Sequence, residues 1–407
     1  MREISLKGRA TATRPIPRGI ATRGPAVLSY GFRPLFLLAG IFATAAMVIW
    51  IGALSGYWEI GGKAGPIDWH AHEMLFGYAS AALCGFVLTA VPNWTGRLPV
   101  SGLPLLGLVA LWLAGRVAMA APGLLGEGPS ALIDCLFLWA LAFVVAREVI
   151  VGRNWKNLRV AIGIAFLAAL NATFHIVVLD GRDELWVIRL ALSLYVLLIS
   201  HIGGRIVPSF TRNYLAKTGA SRFPRQMGRL DHLALLATLV ACVLWSFVPY
   251  GLLTAAIATL AAVLQGVRLA GWRGWTTAAE PLLLVLHVGY AFIPIGLLAI
   301  AAAAMGLLAE PSALHLLTVG GIGMMTLAVM TRASRGHTGR PLTASHTTTV
   351  SYLLLLAVAV LRPLAEFLPA YYHEILDFSG LAWVLAYGLF VAEHAPMLLR
   401  PSLSVRR

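Results

Sequence analysis

Asp68-Trp69-His70-Ala71-His72-Glu73-Met74-Leu75-Phe76-Gly77-Tyr78 leads into an apolar run that continues to residue 92. A run of roughly 20 apolar residues is what a helix rising about 1.5 Å per residue needs to cross a bilayer. Two imidazoles and a carboxylate at the mouth of such a helix must each be hydrated, paired or bound to something, so the stretch raises both the fold and the chemistry.

Eleven more runs of that length follow the same logic. The twelve extents are 33–54, 70–92, 101–121, 130–150, 158–179, 185–207, 231–249, 251–271, 279–303, 312–332, 347–367 and 375–399, with only Pro249-Tyr250-Gly251 separating the seventh from the eighth. The chain is 59% hydrophobic and 12% charged over 407 residues, with a mean hydropathy of +0.81, which excludes a soluble protein of several domains. The expected fold is an all-α polytopic membrane protein of twelve transmembrane helices. Its single membrane domain, 33–399, lies between a basic N-terminal tail, 1–32, and a short basic tail, 400–407.

A net charge of +14 raises nucleic acid as a partner, but the distribution of Lys and Arg points to the lipid bilayer. Assigning loops to alternate sides puts twenty-six of these residues on the side that holds both termini and five on the other. That is the positive-inside asymmetry, so both termini are expected in the cytoplasm, and no nucleic acid is expected. The segment through Arg33 lacks the apolar core and small-residue cleavage site of a secretory signal. Cys84, Cys135 and Cys242 stand singly, without C-x-x-C or C-x-x-C-H spacing. This excludes covalent c-type haem and a cysteine-bound zinc site, leaving buried structural thiols.

A weak internal echo accompanies the helix count. Val91-Pro92-Asn93-Trp94-Thr95-Gly96-Arg97, Val207-Pro208-Ser209-Phe210-Thr211-Arg212 and Val329-Met330-Thr331-Arg332 end the second, sixth and tenth runs, four helices apart. The pattern suits three pseudo-repeats of four helices.

Eleven histidines are present, and those inside spanning segments are functional candidates. By depth, His70, His72, His175 and His315 fall roughly 10–15 Å to the outer side of the midplane, while His201 and His287 fall about 4–8 Å to the inner side. The inner two are expected to face each other, and an imidazole pair from two helices is the axial arrangement of a b-type haem. His70 and His72 are about 200° apart on a helix, so one helix can serve two centres. Glu73, on the face of His70, suits a metal ligand, an imidazole-orienting group or a proton carrier. Arg116 and Arg189 are candidates for haem propionates or for local carboxylates. Tyr290, three residues after His287, is a candidate for hydrogen bonding to a ligand, against the plainer role of a packed aromatic. The basic loop His337-Thr338-Gly339-Arg340-Pro341-Leu342 carries the Gly and Pro of a turn.

The runs Gly31-Phe32-Arg33-Pro34-Leu35-Phe36, Trp69-His70-Ala71-His72-Glu73-Met74, Gly85-Phe86 with Thr89-Ala90-Val91-Pro92-Asn93-Trp94-Thr95-Gly96, and His337-Thr338-Gly339-Arg340-Pro341 together resemble the NnrS family. The resemblance covers nearly the whole chain. It implies a twelve-helix protein of the bacterial inner membrane that carries haem and copper and belongs to the response to nitric oxide and to denitrification.

The resulting expectation is a redox enzyme that reduces nitric oxide at a haem iron paired with a second metal, copper or a second iron. In that scheme His201 and His287 hold haem b. His70, His72, His175 and His315 build the second centre, with Glu73 and Asp68 supplying protons. The opposite assignment, outer histidines on haem and inner pair on copper, is equally compatible with imidazole chemistry. Two other classes fit the sequence: a transporter of copper, haem or a small anion, and a stoichiometric nitric oxide binder. No cytochrome c or flavin motif is present, so electrons are expected from quinol or a separate redox protein.

Overall fold

The structure, a computed structural model, describes residues 24–403. Residues 1–23 and 404–407, most of the two expected tails, lie outside the described residues. Twelve helices are long and apolar enough to span a membrane. They are α1 (Phe32–Leu54), α2 (Gly62–Thr95), α3 (Leu103–Ala120), α4 (Glu127–Val151), α5 (Trp155–Leu179), α6 (Leu185–Lys217), α7 (Arg229–Phe247), α8 (Leu252–Ala270), α9 (Pro281–Ala304), α10 (Glu310–His337), α11 (His346–Phe367) and α12 (Pro369–Leu399). No strand occurs among the described residues. The chain is an all-α multi-pass membrane protein.

Several helices outrun the apolar stretches that announce them, because polar residues at a helix end continue the backbone ladder until a cap stops it. α6 runs ten residues past 207 to Lys217, and α10 continues through its basic last turn to His337. α2 stops at Gly96, whose φ of 70° lets its N–H bond back to the Pro92 carbonyl. The seventh and eighth helices separate at Gly251, whose φ of 101° reverses the chain and whose N–H bonds to the Ala304 carbonyl.

Two helices change pitch. α2 is α-helical to His72, π-helical over Glu73–Ala79 and α-helical again from Ser80. α10 is α-helical to His315, π-helical over Leu316–Gly323 and α-helical from Met324. Side chains satisfy carbonyls loosened in the first of these: Tyr195 Oη donates to Leu75 O at 2.8 Å, and Trp112 Nε1 donates to Gly77 O at 2.9 Å. π-turns of this kind gather at functional sites.

The bundle closes on itself. α1 packs against α12, and Arg33 fixes the junction. Its guanidinium donates to the carbonyls of Met397 (3.2 Å), Leu398 (2.9 Å) and Arg400 (2.7 Å) and to Ser402 Oγ (2.7 Å). One buried arginine therefore satisfies the open carbonyl end of α12, where a cation also suits the helix dipole.

α2, α9, α10 and α6 form the interior, with 78%, 72%, 67% and 56% of their apolar cores buried. α2, α6 and α10, the helices that end in the Thr and Arg motifs, line a common apolar cleft. The equivalence stops there. The helices that open each group of four, α1, α5 and α9, differ widely in burial at 39%, 50% and 72%, so a threefold repeat is not established.

Candidate metal centre

His72 is the last α-helical residue of α2 and Glu73 the first of its π-turn. Both are buried, and their side chains lie against each other, His72 Nδ1 at 2.9 Å from Glu73 Oε1. The other ring nitrogen, Nε2, faces α4 and α5, at 2.9 Å from Asn171 Oδ1 and 3.2 Å from Asp134 Oδ2. Asn171 and His175, four residues apart on α5, share a face, so both reach the same carboxylate. Asn171 Nδ2 donates to Asp134 Oδ2 at 2.7 Å, and His175 Nε2 lies 3.0 Å from that oxygen. Arg116 on α3 bridges the two acids, pairing with Glu73 Oε2 at 2.5 Å and with Asp134 Oδ1. Four helices, α2 to α5, thus converge on one ionic cluster away from solvent.

The donor chemistry fits a transition metal. His72, Asp134 and His175 offer one ligand atom each, all within 4.8 Å of one another and all buried. Two imidazoles and a carboxylate form a set that iron, copper and zinc accept. Glu73 on the far ring nitrogen of His72 fixes that imidazole from behind, as outer carboxylates do around metal-bound histidine. Arg116 offsets one of the two acidic charges, and the other is left to the facing imidazoles or to a bound cation.

The other sequence candidates fall into separate places. His70 leaves α2 on the opposite side from His72 and stacks on Trp50, ring centres 4.5 Å apart. Its Nδ1 is buried without a partner. His315, at the matching α-to-π step of α10, lies near enough to act electrostatically on His70, and its Nδ1 donates to the Pro311 carbonyl at 2.6 Å. That bond leaves the His315 Nε2 lone pair free. Asp68 sits beside Glu184 and Asp183 at the same end of the bundle, apart from Glu73. Arg189 makes a two-pronged pair with Glu310, at 2.5 and 2.7 Å. Both Arg116 and Arg189 therefore meet local carboxylates.

His201 and His287 do not face each other. His287 Nε2 bonds to Thr211 Oγ1 at 2.8 Å, and Thr211 is ten residues beyond His201, roughly 15 Å along α6. The physical reason is the length of α6: a helix running from Leu185 to Lys217 has its midpoint at His201, not inward of it. His287 instead packs its ring against Gly274, where a Cβ would come within 2.6 Å of it. Tyr290 is a link in a polar chain, donating to Gln265 Oε1 at 2.7 Å and accepting from Arg268 Nη1 at 2.8 Å. As a bis-imidazole haem pair, His201 and His287 do not fit.

The model of the family described as NnrS protein matches residues 26–402, nearly the whole chain. The chain belongs to the NnrS family. No curated protein matches it. The stretches that carry the NnrS resemblance now have physical roles. Arg33 closes the bundle, His72 and Glu73 build the cluster, and the Trp94 carbonyl accepts from Asn154 Nδ2. His337 packs its ring on Tyr30 and Phe32, joining two of these stretches at one end of the bundle. Asp134 and Asn171 belong to the cluster and are absent from the sequence-derived set. Asp134 carries its own signal, an acid within the apolar run 130–150.

Proposed function

We propose that this NnrS protein holds a transition metal between His72, Asp134 and His175 and meets nitric oxide there. The observation that carries this is the cluster itself: two imidazoles converge on one buried carboxylate oxygen, with Glu73 behind one of them. A metal so held supplies an open position for a diatomic gas and a one-electron couple. The residues around it do three things. Glu73 orients His72, Asn171 and Arg116 hold Asp134, and burial keeps water from competing. Glu73 is engaged on both oxygens, so its role here is to orient rather than to carry protons. Haem, which the family resemblance implies, is assigned to the His70 end of the bundle, where the buried Nδ1 of that imidazole has no partner.

Reduction of nitric oxide is the reaction we infer: two molecules of the gas, two electrons and two protons give nitrous oxide and water. The electrons come from quinol or a separate redox protein. From the charge asymmetry of the loops, the end of the bundle that carries both termini is assigned to the cytoplasm of a bacterial inner membrane.

The test is direct. The protein purified in detergent is assayed for bound iron and copper, and its optical and paramagnetic spectra are followed as nitric oxide is added to the reduced form. Retention of metal and an unchanged gas response in the double variant Asp134→Asn, His175→Ala would remove the assignment. Transport remains the second reading because a polar vestibule and the central cleft form a path into the bundle from one end. It requires that cargo leave the protein and cross sealed vesicles.

A further inference from the structure

The end of the bundle that carries the termini holds a vestibule of about 670 Å³. The three motif-bearing helices α2, α6 and α10 supply much of its wall, and it is mixed in character. Arg205, Arg332 and Asn93 give a cationic, hydrogen-bonding rim, while Phe36, Phe86 and Trp94 give aromatic surface. Neither guanidinium has a carboxylate within ion-pairing distance among the described residues. Arg205 makes one long contact, 3.4 Å to Asn157 Oδ1, and Arg332 lies over the Phe210 ring at 4.4 Å. Glu280, whose charge acts on Arg332, is already engaged by the backbone N–H groups of Leu282 and Ala344. Two arginines facing one cavity, without an anion of their own, make it a place for an external one.

The vestibule does not end blindly. Phe36, Phe86, Ile202, Ile206 and Val329 line both it and a narrow apolar cleft of about 80 Å³ that continues toward the middle of the bundle. Along α6 the cleft extends from Ile206 to Tyr195, eleven residues or roughly 16 Å. Its walls include Ala79, Ala82 and Gly203, small residues that leave room for a slim occupant and no width for a fused ring system. At its deep end the polar groups are spent. Tyr195 donates to Leu75 O, and the Thr326 hydroxyl meets Tyr78. Nothing there recognises a polar tail.

From this we infer that the vestibule and cleft together bind an amphipathic anion, with an acidic head between Arg205 and Arg332 and an unbranched apolar tail in the cleft between α2, α6 and α10. The head-group end of the site lies apart from the His72 cluster, roughly 30 Å by residue count between Asn93 and His72, while the deep end of the cleft at Ala79 comes within seven residues of it, roughly 10 Å along α2. A free acyl carboxylate and a membrane lipid with an anionic head share this chemistry.

The experiment is saturation binding of radiolabelled palmitate to the full-length protein in non-ionic detergent. Competitors are hexadecanol, inorganic phosphate and phosphatidate. One saturable site per chain is expected, with hexadecanol and inorganic phosphate as poor competitors, since each carries half of the recognition. Losing one charge-assisted contact in Arg205→Gln or Arg332→Gln should weaken binding roughly tenfold. Ala82→Leu, which fills the cleft and leaves the rim intact, should also weaken palmitate. Its monodispersity is checked by size exclusion, so the cleft is tested even if an arginine variant fails to fold. Competition by phosphatidate assigns the site to membrane lipid, and its absence assigns it to a free acyl carboxylate; either supports the inference. Non-saturable uptake, equal competition by hexadecanol, displacement by inorganic phosphate alone, or unchanged affinity in both well-folded arginine variants and Ala82→Leu would overturn it.

Discussion

Two buried ionic networks occupy this bundle, and they use their charges differently. In the first, between α2 and α5, Arg116 sits behind Glu73 and Asp134, and two imidazoles stand in front of one carboxylate oxygen. In the second, between α6 and α9, Arg268 is the centre. Its Nε donates to Asp231 Oδ1 at 2.8 Å, and its Nη1 donates to the Ser200 carbonyl at 2.9 Å and to Tyr290 Oη at 2.8 Å. Gln265 extends the chain to Thr238. The second network holds no imidazole; its one carboxylate, Asp231, is taken up by Arg268 and Arg225, and its other ends are an amide, hydroxyls and backbone, so it reads as a brace. In the first, ion pairs of the same types surround two imidazoles that converge on one carboxylate oxygen, the donor set proposed above for a metal. Burial and charge alone therefore do not mark a candidate centre; the convergence of two imidazoles on one carboxylate does.

The largest effect that tests this contrast is in the brace. Asp231→Ala leaves the guanidinium of Arg268 buried without its carboxylate, and breaking a buried pair in this way costs about 3–5 kcal/mol. Thermal unfolding in detergent should fall sharply, while the metal content of whatever remains folded stays the same. Loss of metal from folded Asp231→Ala would merge the two networks and end the distinction.

Next in size is the cluster. His175→Ala removes a ligand but no charge from the ion-pair set, so the fold should hold while bound metal falls by roughly tenfold or more, measured by elemental analysis after dialysis. Glu73→Gln keeps shape and removes the orienting carboxylate, with an expected loss of about 10- to 100-fold in metal affinity at most. If Glu73→Gln abolished turnover with metal fully retained, Glu73 would return to the role of proton carrier.

The helices were legible because span length and apolarity are one-dimensional, and all twelve runs correspond to helices. The identities of neighbours were legible only in part. Depth placed His70, His72, His175 and His315 at one level; the structure brings His72 and His175 together, with Glu73 and Arg116 beside them, and leaves His70 and His315 outside the cluster. Depth did not survive for His201, because the polar end of α6 continues the helix to Lys217 and moves its midpoint. Asp134 was visible as a lone acid in an apolar run, yet only packing reveals that α4 turns it toward α5. The π-turns after His72 and His315 have no plain composition signal, since their loosened carbonyls are met by side chains of other helices, Tyr195 and Trp112 in the first and Tyr387 in the second.

The smallest effect sharpens the brace rather than breaking it. Tyr290→Phe removes one hydroxyl that accepts from Arg268 and donates to Gln265, leaving a buried acceptor and a buried donor without that partner. Each retains other bonds: Arg268 Nη1 keeps the Ser200 carbonyl, and Gln265 Oε1 keeps a longer contact from Arg268 Nη1 at 3.4 Å. The expected cost is therefore about 1–3 kcal/mol, read as a modest drop in unfolding temperature. Haem and metal spectra should be unmoved, because Tyr290 points into the Arg268 network and not toward the His72 cluster. A spectral change in a variant of near-normal stability would mean that a cofactor lies against Tyr290 after all. In that case the second network would be a centre in its own right, and the contrast between the two would have to be drawn on the identity of the bound group instead of on converging imidazoles.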